Sequence, residues 1–202
     1  MKREYIDIFL LHSPPEKINI DLTLEKKINQ TLQSGEISSF GVSCRSCDDA
    51  IYYINNYEFI KHIEINYNIF DRRAEKKLFK LARKNNISII ARAPFANGMV
   101  FTKNLKKKFK NIDFRSKFDS DTKNWLKKQI QNLNERNKSY LKLYSVALRF
   151  CISNEYISVV IPGMRSIKQI NDNIRYFKLG KISYKEIKKI NNKIPSTYNK
   201  WK

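Results

Sequence analysis

The sequence predicts an α/β fold, a parallel sheet assembled from right-handed βαβ units. Three observations predict it. Short apolar, β-rich runs recur along the chain. Stretches with helical spacing of apolar residues lie between them. Turn residues close most of the runs. Regular alternation of strand and helix is how a parallel sheet is wound, because each parallel strand needs a crossover to reach the next.

The elements follow in order. Tyr5–Leu11 is a nearly continuous apolar run stopped by His12-Ser13-Pro14-Pro15, and it reads as a strand buried on both faces. Asp21–Leu32 places Leu22, Ile28 and Leu32 among Lys and Glu, an amphipathic helix ended by Ser34-Gly35. Ile37–Ser43 is a strand and Asp48–Asn55 a short helix. Ile60–Ile65 is a strand that runs into Asn66-Tyr67-Asn68. Arg73–Lys84 is a helix with Leu78, Leu81 and Ala82 on one side, and Ile87–Ala91 is a strand broken at Pro94. Phe101–Ser120 is polar, basic and aperiodic, the profile of a functional or mobile loop. Lys123–Asn132 and Ser139–Ser153 are helices, the second with Leu143, Val146, Ala147 and Phe150 as its apolar stripe. Ile157–Ile161 is a strand closed by Pro162-Gly163. Ser166–Tyr176, capped by Ser166, and Tyr184–Asn192 are the last helices.

Composition bounds the function. The chain has 202 residues, which suits a single domain over 1–202. Lys and Arg number 40 against 19 Asp and Glu, a net charge of +21. The apolar share of 42% supplies a core, which argues against a disordered basic chain. The Lys residues are dispersed rather than gathered in a stripe, except over Lys103–Lys117 with Lys106, Lys107, Lys108, Lys110 and Arg115. No zinc-finger spacing, RNA-recognition signature or basic region with heptads appears, so specific nucleic-acid binding is not expected. No apolar run reaches the roughly 18 residues of a membrane span. Met1-Lys2-Arg3-Glu4-Tyr5 does not read as a secretion signal. Three cysteines suit a reducing compartment, so the expectation is a cytoplasmic protein. Cys44-Arg45-Ser46-Cys47 has redox spacing, but the order of elements around it is not that of a thioredoxin. His12, His62 and Cys151 stand at unrelated positions, so no metal site is expected. His62, inside a strand, reads as structural.

The parallel sheet is either doubly wound or part of a (β/α) barrel. No G-x-G-x-x-G or P-loop pattern follows a strand, which removes the usual support for a nucleotide-binding doubly wound fold. In a barrel the chemistry gathers at the C-terminal strand ends. Those ends carry His12, Ser43-Cys44, Asn66-Tyr67-Asn68, Arg92-Ala93-Pro94 and Gly163-Met164-Arg165.

Six stretches carry a resemblance. They are Asp7-Ile8-Phe9-Leu10-Leu11-His12-Ser13-Pro14, Gly35 to Ser43, Tyr67-Asn68-Ile69-Phe70-Asp71-Arg72-Arg73, and Ala91-Arg92-Ala93-Pro94-Phe95-Ala96-Asn97-Gly98. Ala147-Leu148-Arg149-Phe150 and Ile161-Pro162-Gly163 running to Asn171-Asp172-Asn173 complete them. In this order they resemble the aldo-keto reductases, barrel enzymes that use NADP(H). The resemblance covers nearly all of this chain and the family's fourth strand onward. It implies an incomplete TIM-type (β/α) barrel of about five parallel strands with alternating helices. The family's Asp, Tyr and Lys, with Tyr the proton donor, belong to the first three βα units, which have no counterpart in this sequence. Tyr5 stands at the start of a strand, the wrong end for that role. The chain is thus expected to be a truncated family member, from gene decay or a split or misread frame.

The resemblance also implies roles. His12 matches the histidine that orients the substrate carbonyl, the substrate being a small carbonyl or alcohol. Ser43 and Cys44 fall where the family has Ser-Asn against the nicotinamide carboxamide, and Glu64 where it has Gln. Arg92 stands at the nicotinamide-stacking position. Ala93, Pro94, Phe95, Asn97 and Gly98 resemble the loop over the cofactor pyrophosphate. Gly163, Arg165, Ser166, Gln169 and Asn173 map to the adenosine-phosphate site, with Gln169 replacing a frequent Arg. An unpaired first strand and last strand imply either self-association or a companion fragment. The rival expectations are a non-catalytic remnant that binds a partner and, further off, a basic nucleic-acid-binding module. Upstream coding sequence for a barrel start would mark a split enzyme.

Overall fold

Asp21 caps a helix by accepting the Leu24 backbone N–H at 2.8 Å, and Ser46 and Ser166 cap two more through Asp49 N–H at 3.0 Å and Gln169 N–H at 3.3 Å. These local signals place the helices in a computed structural model, which describes residues 4–15, 17–101, 105–106, 108–134 and 140–197. Met1, Lys2 and Arg3, Lys103 and Lys107 of the basic stretch, and Ser139 lie outside the described residues. The strands are β1 (Phe9–His12), β2 (Phe40–Ser43), β3 (Ile60–Asn66), β4 (Ser88–Arg92) and β5 (Ile157–Ile161). The helices are α1 (Leu22–Gln33), α2 (Cys47–Asn56), α3 (Leu78–Lys84), α4 (Ser120–Asn134), α5 (Tyr140–Ser153), α6 (Ile167–Lys178) and α7 (Tyr184–Lys193).

The sheet order is β1-β2-β3-β4-β5. β1 runs parallel to β2 with Phe9 opposite Phe40 and His12 opposite Ser43. β2 runs parallel to β3 with Val42 opposite Ile63 and Ser43 opposite Glu64. Every crossover steps the same way. A doubly wound sheet reverses direction at a switch point, whereas a barrel wall does not. The order therefore decides between the two architectures left open by the sequence.

The chain forms two compact units, Met1–Ile65 with Ala74–Ile90, and Asn66–Arg73 with Ala91–Lys202. In the first, Val42, Ala50, Tyr53, Ile63, Leu78 and Ile89 are fully buried. The Tyr57 hydroxyl accepts from Ile20 N–H at 2.8 Å and donates to Asn19 at 2.7 Å, fastening the segment before α1 to the end of α2. In the second unit Tyr67, Ile69, Phe70, Met99, Leu126 and Ala147 are fully buried. Tyr67 stacks on Phe150 with ring centroids 5.7 Å apart, and its hydroxyl accepts from Asn154 at 2.8 Å. Buried Arg72 donates from its guanidinium to the Ile194 carbonyl at 2.8 Å, and its N–H donates to Ser196 O at 2.7 Å. That guanidinium ties down the segment after α7.

Several sequence expectations are corrected. β1 is not buried on both faces: Phe9 is 46% exposed, because a terminal strand has only one neighbour. Leu22 is 75% exposed at the first position of α1, off the stripe that buries Ile28. Arg73–Lys84 is not one continuous helix. A 3₁₀ turn at Arg73–Glu75 precedes α3, and Lys77 between them has φ −131° with no side-chain cap. The Asp71 carboxylate accepts Arg73 Nε and Nη2, each at 2.8 Å, which holds that turn in its own geometry. Within Phe101–Ser120, a 3₁₀ turn forms at Phe114–Lys117 behind Asp113, whose carboxylate accepts Arg115 Nε at 2.9 Å. Periodicity could not reveal an element held by a single ion pair.

Gly41 is required where it stands. A methyl group there would run into the His62 carbonyl oxygen, a backbone atom of the paired strand. Gly41→Ala is expected to destabilise the protein by about 1–3 kcal/mol, the range for overpacking. The urea midpoint measures it, and an unchanged midpoint would show that β2 and β3 can separate without penalty.

Candidate active and cofactor site

The first unit holds His12, Ser43, Cys44 and Glu64 at the C-terminal ends of its strands. β1 ends at His12, which is exposed, and the chain then leaves the strand through Ser13 at φ 47°. Ser13 N–H donates to Ser43 O at 3.0 Å, so the end of β1 is fixed to the end of β2. Ser43 is buried and its hydroxyl donates to Glu64 Oε1 at 3.0 Å. The pair sets a hydroxyl beside a carboxyl group at the strand ends, chemistry that suits the –NH₂ side of a carboxamide. Cys44 is buried, with its N–H on Glu64 O at 2.8 Å and its thiol toward Val42 O at 3.9 Å. A thiol turned to the backbone adds little polar grip. None of Cys44, Cys47 and Cys151 is in a disulfide. His62 lies beside Ser39, with Nε2 to Oγ at 2.8 Å, and burial lowers its pKa. The placement agrees with a structural role.

The second unit holds the other positions. Arg92 Nε donates to Asn66 Oδ1 at 2.8 Å, and Asn68 Nδ2 donates to Ala93 O at 3.1 Å. These bonds set the direction in which the chain leaves β4. Ala93, Ala96 and Asn97 all have positive φ, 53°, 47° and 55°, so the Ala93–Gly98 loop is a tight, strained turn. Strain of this kind persists where surrounding contacts over-determine the backbone. Here Ala96 N–H donates to Ala93 O and Gly98 N–H to Phe95 O, both at 2.9 Å. Buried Phe95 stacks on Tyr144 with centroids 3.8 Å apart. Asn97 and its backbone are left on the exposed side.

Gly163, Arg165 and Ser166 are exposed before α6. Arg165 N–H donates to Gln169 Oε1 at 2.6 Å, so Gln169 orders this turn rather than standing idle. The first N–H groups of α6 have no partner within the helix, and the helix dipole adds positive potential there. Asn173 is buried on α6, and its Oδ1 accepts from the Tyr144 hydroxyl at 2.8 Å. Its Nδ2 is buried with no hydrogen-bond partner. An orphaned buried donor costs about 1–3 kcal/mol, and a ligand acceptor would satisfy it. Nearby, two hydrogen bonds from Arg115 hold the Asp113 carboxyl far below the usual carboxylate range, with the positive charge of Arg165 adding to the effect.

Tyr144 was not singled out by sequence. It lies at the i−3 and i−4 positions of Ala147 and Leu148, which was the available signal, but an apolar stripe does not disclose a hydroxyl aimed at Asn173. The sequence marks Asn66 and Asn68 only as polar residues at a strand end; in the structure they hold Arg92 and Ala93.

A sheet whose order never reverses, with polar side chains at the C-terminal strand ends, defines an α/β protein of TIM-barrel type. The Aldo/keto reductase family model matches residues 1–195, and the chain belongs to that family. It is similar to an uncharacterized oxidoreductase of Bacillus subtilis (strain 168), 25% identical over 194 residues, covering 93% of this chain and 60% of that protein. It is also similar to a probable aldo-keto reductase of Glycine max, at 22% identity, covering 95% of this chain and 56% of the other. Among solved structures, the holo form of an aldo-keto reductase from Bacillus halodurans superposes with a TM-score of 0.75 at 24% identity, over 98% of this chain and 64% of that one. A glycerol dehydrogenase from Gluconobacter oxydans gives 0.73 at 22% identity, over 94% and 58%. These structural likenesses speak for the fold. The chain spans less than two thirds of the length of each of these relatives. Among the described residues no helix is long and apolar enough to cross a membrane.

Proposed function

We propose that this chain binds NADP(H) and serves hydride transfer between that cofactor and a small carbonyl or alcohol. The observation that carries the reading is Asn173. Its carboxamide is fixed by Tyr144 at one atom and left with a buried, unpartnered donor at the other, on the helix that starts with Arg165 and Ser166. That is a prepared hydrogen-bond donor for a ring acceptor such as those of adenine. Arg165 is exposed and suited to a bidentate grip on a phosphate, and the α6 N-terminus favours the same charge. Gly163 leaves open space, since a methyl group there would meet nothing. In the other unit, Ser43 with Glu64 suits the carboxamide of the nicotinamide. When bound, NADP(H) supplies the hydride for the carbonyl carbon. His12 donates a hydrogen bond to the carbonyl oxygen as negative charge develops there, a form of oxyanion stabilisation. The carbonyl oxygen must also gain a proton, and no residue of this sequence matches the family's tyrosine donor.

The test is cofactor binding, followed by nucleotide titration. Charge-assisted hydrogen bonds contribute about 1.5–3 kcal/mol, which corresponds to about 10–100-fold in affinity. Arg165→Ala is expected to weaken NADP⁺ by that factor and to leave NAD⁺ nearly unchanged, because only NADP⁺ carries the 2′-phosphate. Equal losses for both dinucleotides, or none for either, would remove Arg165 from the phosphate site.

A further inference from the structure

We propose that Cys44 and Cys47 form a redox-active thiol pair that a small organic disulfide oxidises, with Cys47 attacking first, Cys44 resolving, and Tyr53 donating a hydrogen bond to Cys44. All three residues lie in the first unit. Two residues separate the cysteines, Arg45 and Ser46, and the chain bends at both. Cys44 directly follows β2, and Cys47 opens α2. A C-x-x-C at the start of a helix is the spacing of exchangeable dithiols.

The two positions differ in the way exchange requires. Cys47 is half-buried, within reach of a small disulfide, whereas Cys44 is buried. As the first residue of α2, Cys47 stands at the positive end of the helix dipole, which favours a thiolate. Exposed Arg45 adds positive charge to the same turn. Of the two carboxylates that follow, Asp48 is exposed and screened by water. Buried Asp49 is turned to the cap, where its Oδ2 accepts the Ser46 hydroxyl at 2.7 Å. Tyr53 is an independent observation. It is fully buried on α2, and its hydroxyl has no hydrogen-bond partner, an omission that protein interiors rarely tolerate. Burial first, then nearby Cys44 and Asp49, push it up to about 12, so it stays protonated and able to donate. Resolution needs Cys44 as a thiolate inside the core, and an unsatisfied O–H in its surroundings offsets the cost of that charge.

The exchange balances. Cys47 Sγ attacks one sulfur of R–S–S–R, the S–S bond breaks, and R–S⁻ leaves. Cys44 Sγ then attacks Cys47 Sγ, which releases the second R–S⁻ and closes the Cys44–Cys47 bond. Two electrons pass from the pair to the small disulfide, and the two thiol protons end on two molecules of R–SH. Cys44 N–H donates to Glu64 O at 2.8 Å, so closure acts on the strand ends that carry Ser43 and Glu64.

The native full chain is incubated with oxidised glutathione, without dinucleotide, and its alkylatable thiols are counted by mass spectrometry. Cys44 and Cys47 are expected to disappear together as an internal disulfide. Cys151 is the built-in control: it is fully buried in the other unit, burial pushes its thiol up, and it should stay reduced. Cys44→Ser is expected to stop with one glutathione on Cys47, and Cys47→Ser to leave Cys44 unreacted. Tyr53→Phe is expected to slow closure about 10–100-fold, the worth of a hydrogen bond to a charged group, and to let the mixed disulfide accumulate. Circular dichroism checks that each variant is folded, and the wild-type thiol count decides where one is not. Three thiols retained in the native wild-type chain, Cys151 modified as fast as Cys47, or Cys44 oxidised at the wild-type rate in Cys47→Ser would overturn the proposal. Closure of Tyr53→Phe at the wild-type rate would overturn the role given to Tyr53.

Discussion

The purified chain, mixed with NADPH and a panel of aldehydes and ketones, is expected to turn over at least about 10²–10⁴-fold more slowly than a competent reductase, the usual worth of general acid catalysis. The reasoning follows the proton. Hydride addition leaves an alkoxide, and the alkoxide needs an acid placed within hydrogen-bond reach. His12 sits at the exposed end of β1, where it can orient a carbonyl. The tyrosines whose surroundings are best defined are committed elsewhere: Tyr57 to Asn19 and Ile20, Tyr67 to Asn154, and Tyr144 to Asn173. Burial raises Tyr144 above the ordinary phenol value and pushes Tyr53 up to about 12, the wrong direction for an acid at neutral pH. NADPH consumption measures the rate. Robust turnover that disappears in His12→Ala would overturn the expectation and require a different proton donor among the residues present.

The strand–helix alternation was legible because each element carries its own local cause. The sequence marks Ser166 as a cap; the structure adds Asp21, Ser46 and Ser183, the last in a reciprocal capping box with Glu186. Short apolar runs marked every strand. Exposure at β1 was not legible, since an apolar run looks the same in the middle of a sheet as at its edge, and Phe9 became exposed only through strand order. The interruption before α3 was also hidden, because it comes from the Asp71–Arg73 clamp rather than from a breaker residue. In the candidate site, the positions at strand ends came from motif order. Their partners did not. The Ser43–Glu64 bond joins residues 21 apart and Tyr144–Asn173 residues 29 apart, contacts that only the fold creates.

Tyr144 therefore carries the second large expectation, since stability and the candidate site meet at one side chain. It is 7% exposed on α5. Phe95 stacks on it at 3.8 Å, Phe101 lies at 4.9 Å, and Tyr176 meets it edge-on at 5.4 Å. Its hydroxyl is the partner of Asn173 Oδ1. Tyr144→Ala removes the ring on which Phe95 rests and leaves both polar atoms of Asn173 unsatisfied. Truncating a buried aromatic residue costs about 3–5 kcal/mol, a large share of the roughly 5–15 kcal/mol that holds a native protein together. At about 2–4 °C per kcal/mol for a chain of this size, the melting temperature should fall by about 6–20 °C. Tyr144→Phe keeps the stack and loses only the hydrogen bond, so its penalty should be about 1–3 kcal/mol. It should still weaken NADP⁺ binding, because the Asn173 amide is then free to turn. Thermal unfolding followed by near-ultraviolet circular dichroism gives the first number, and dinucleotide titration of Tyr144→Phe gives the second. If Tyr144→Ala unfolds within a degree or two of wild type, the aromatic cluster does not support α5 and α6. If Tyr144→Phe binds NADP⁺ unchanged, Asn173 is not oriented through its hydroxyl partner.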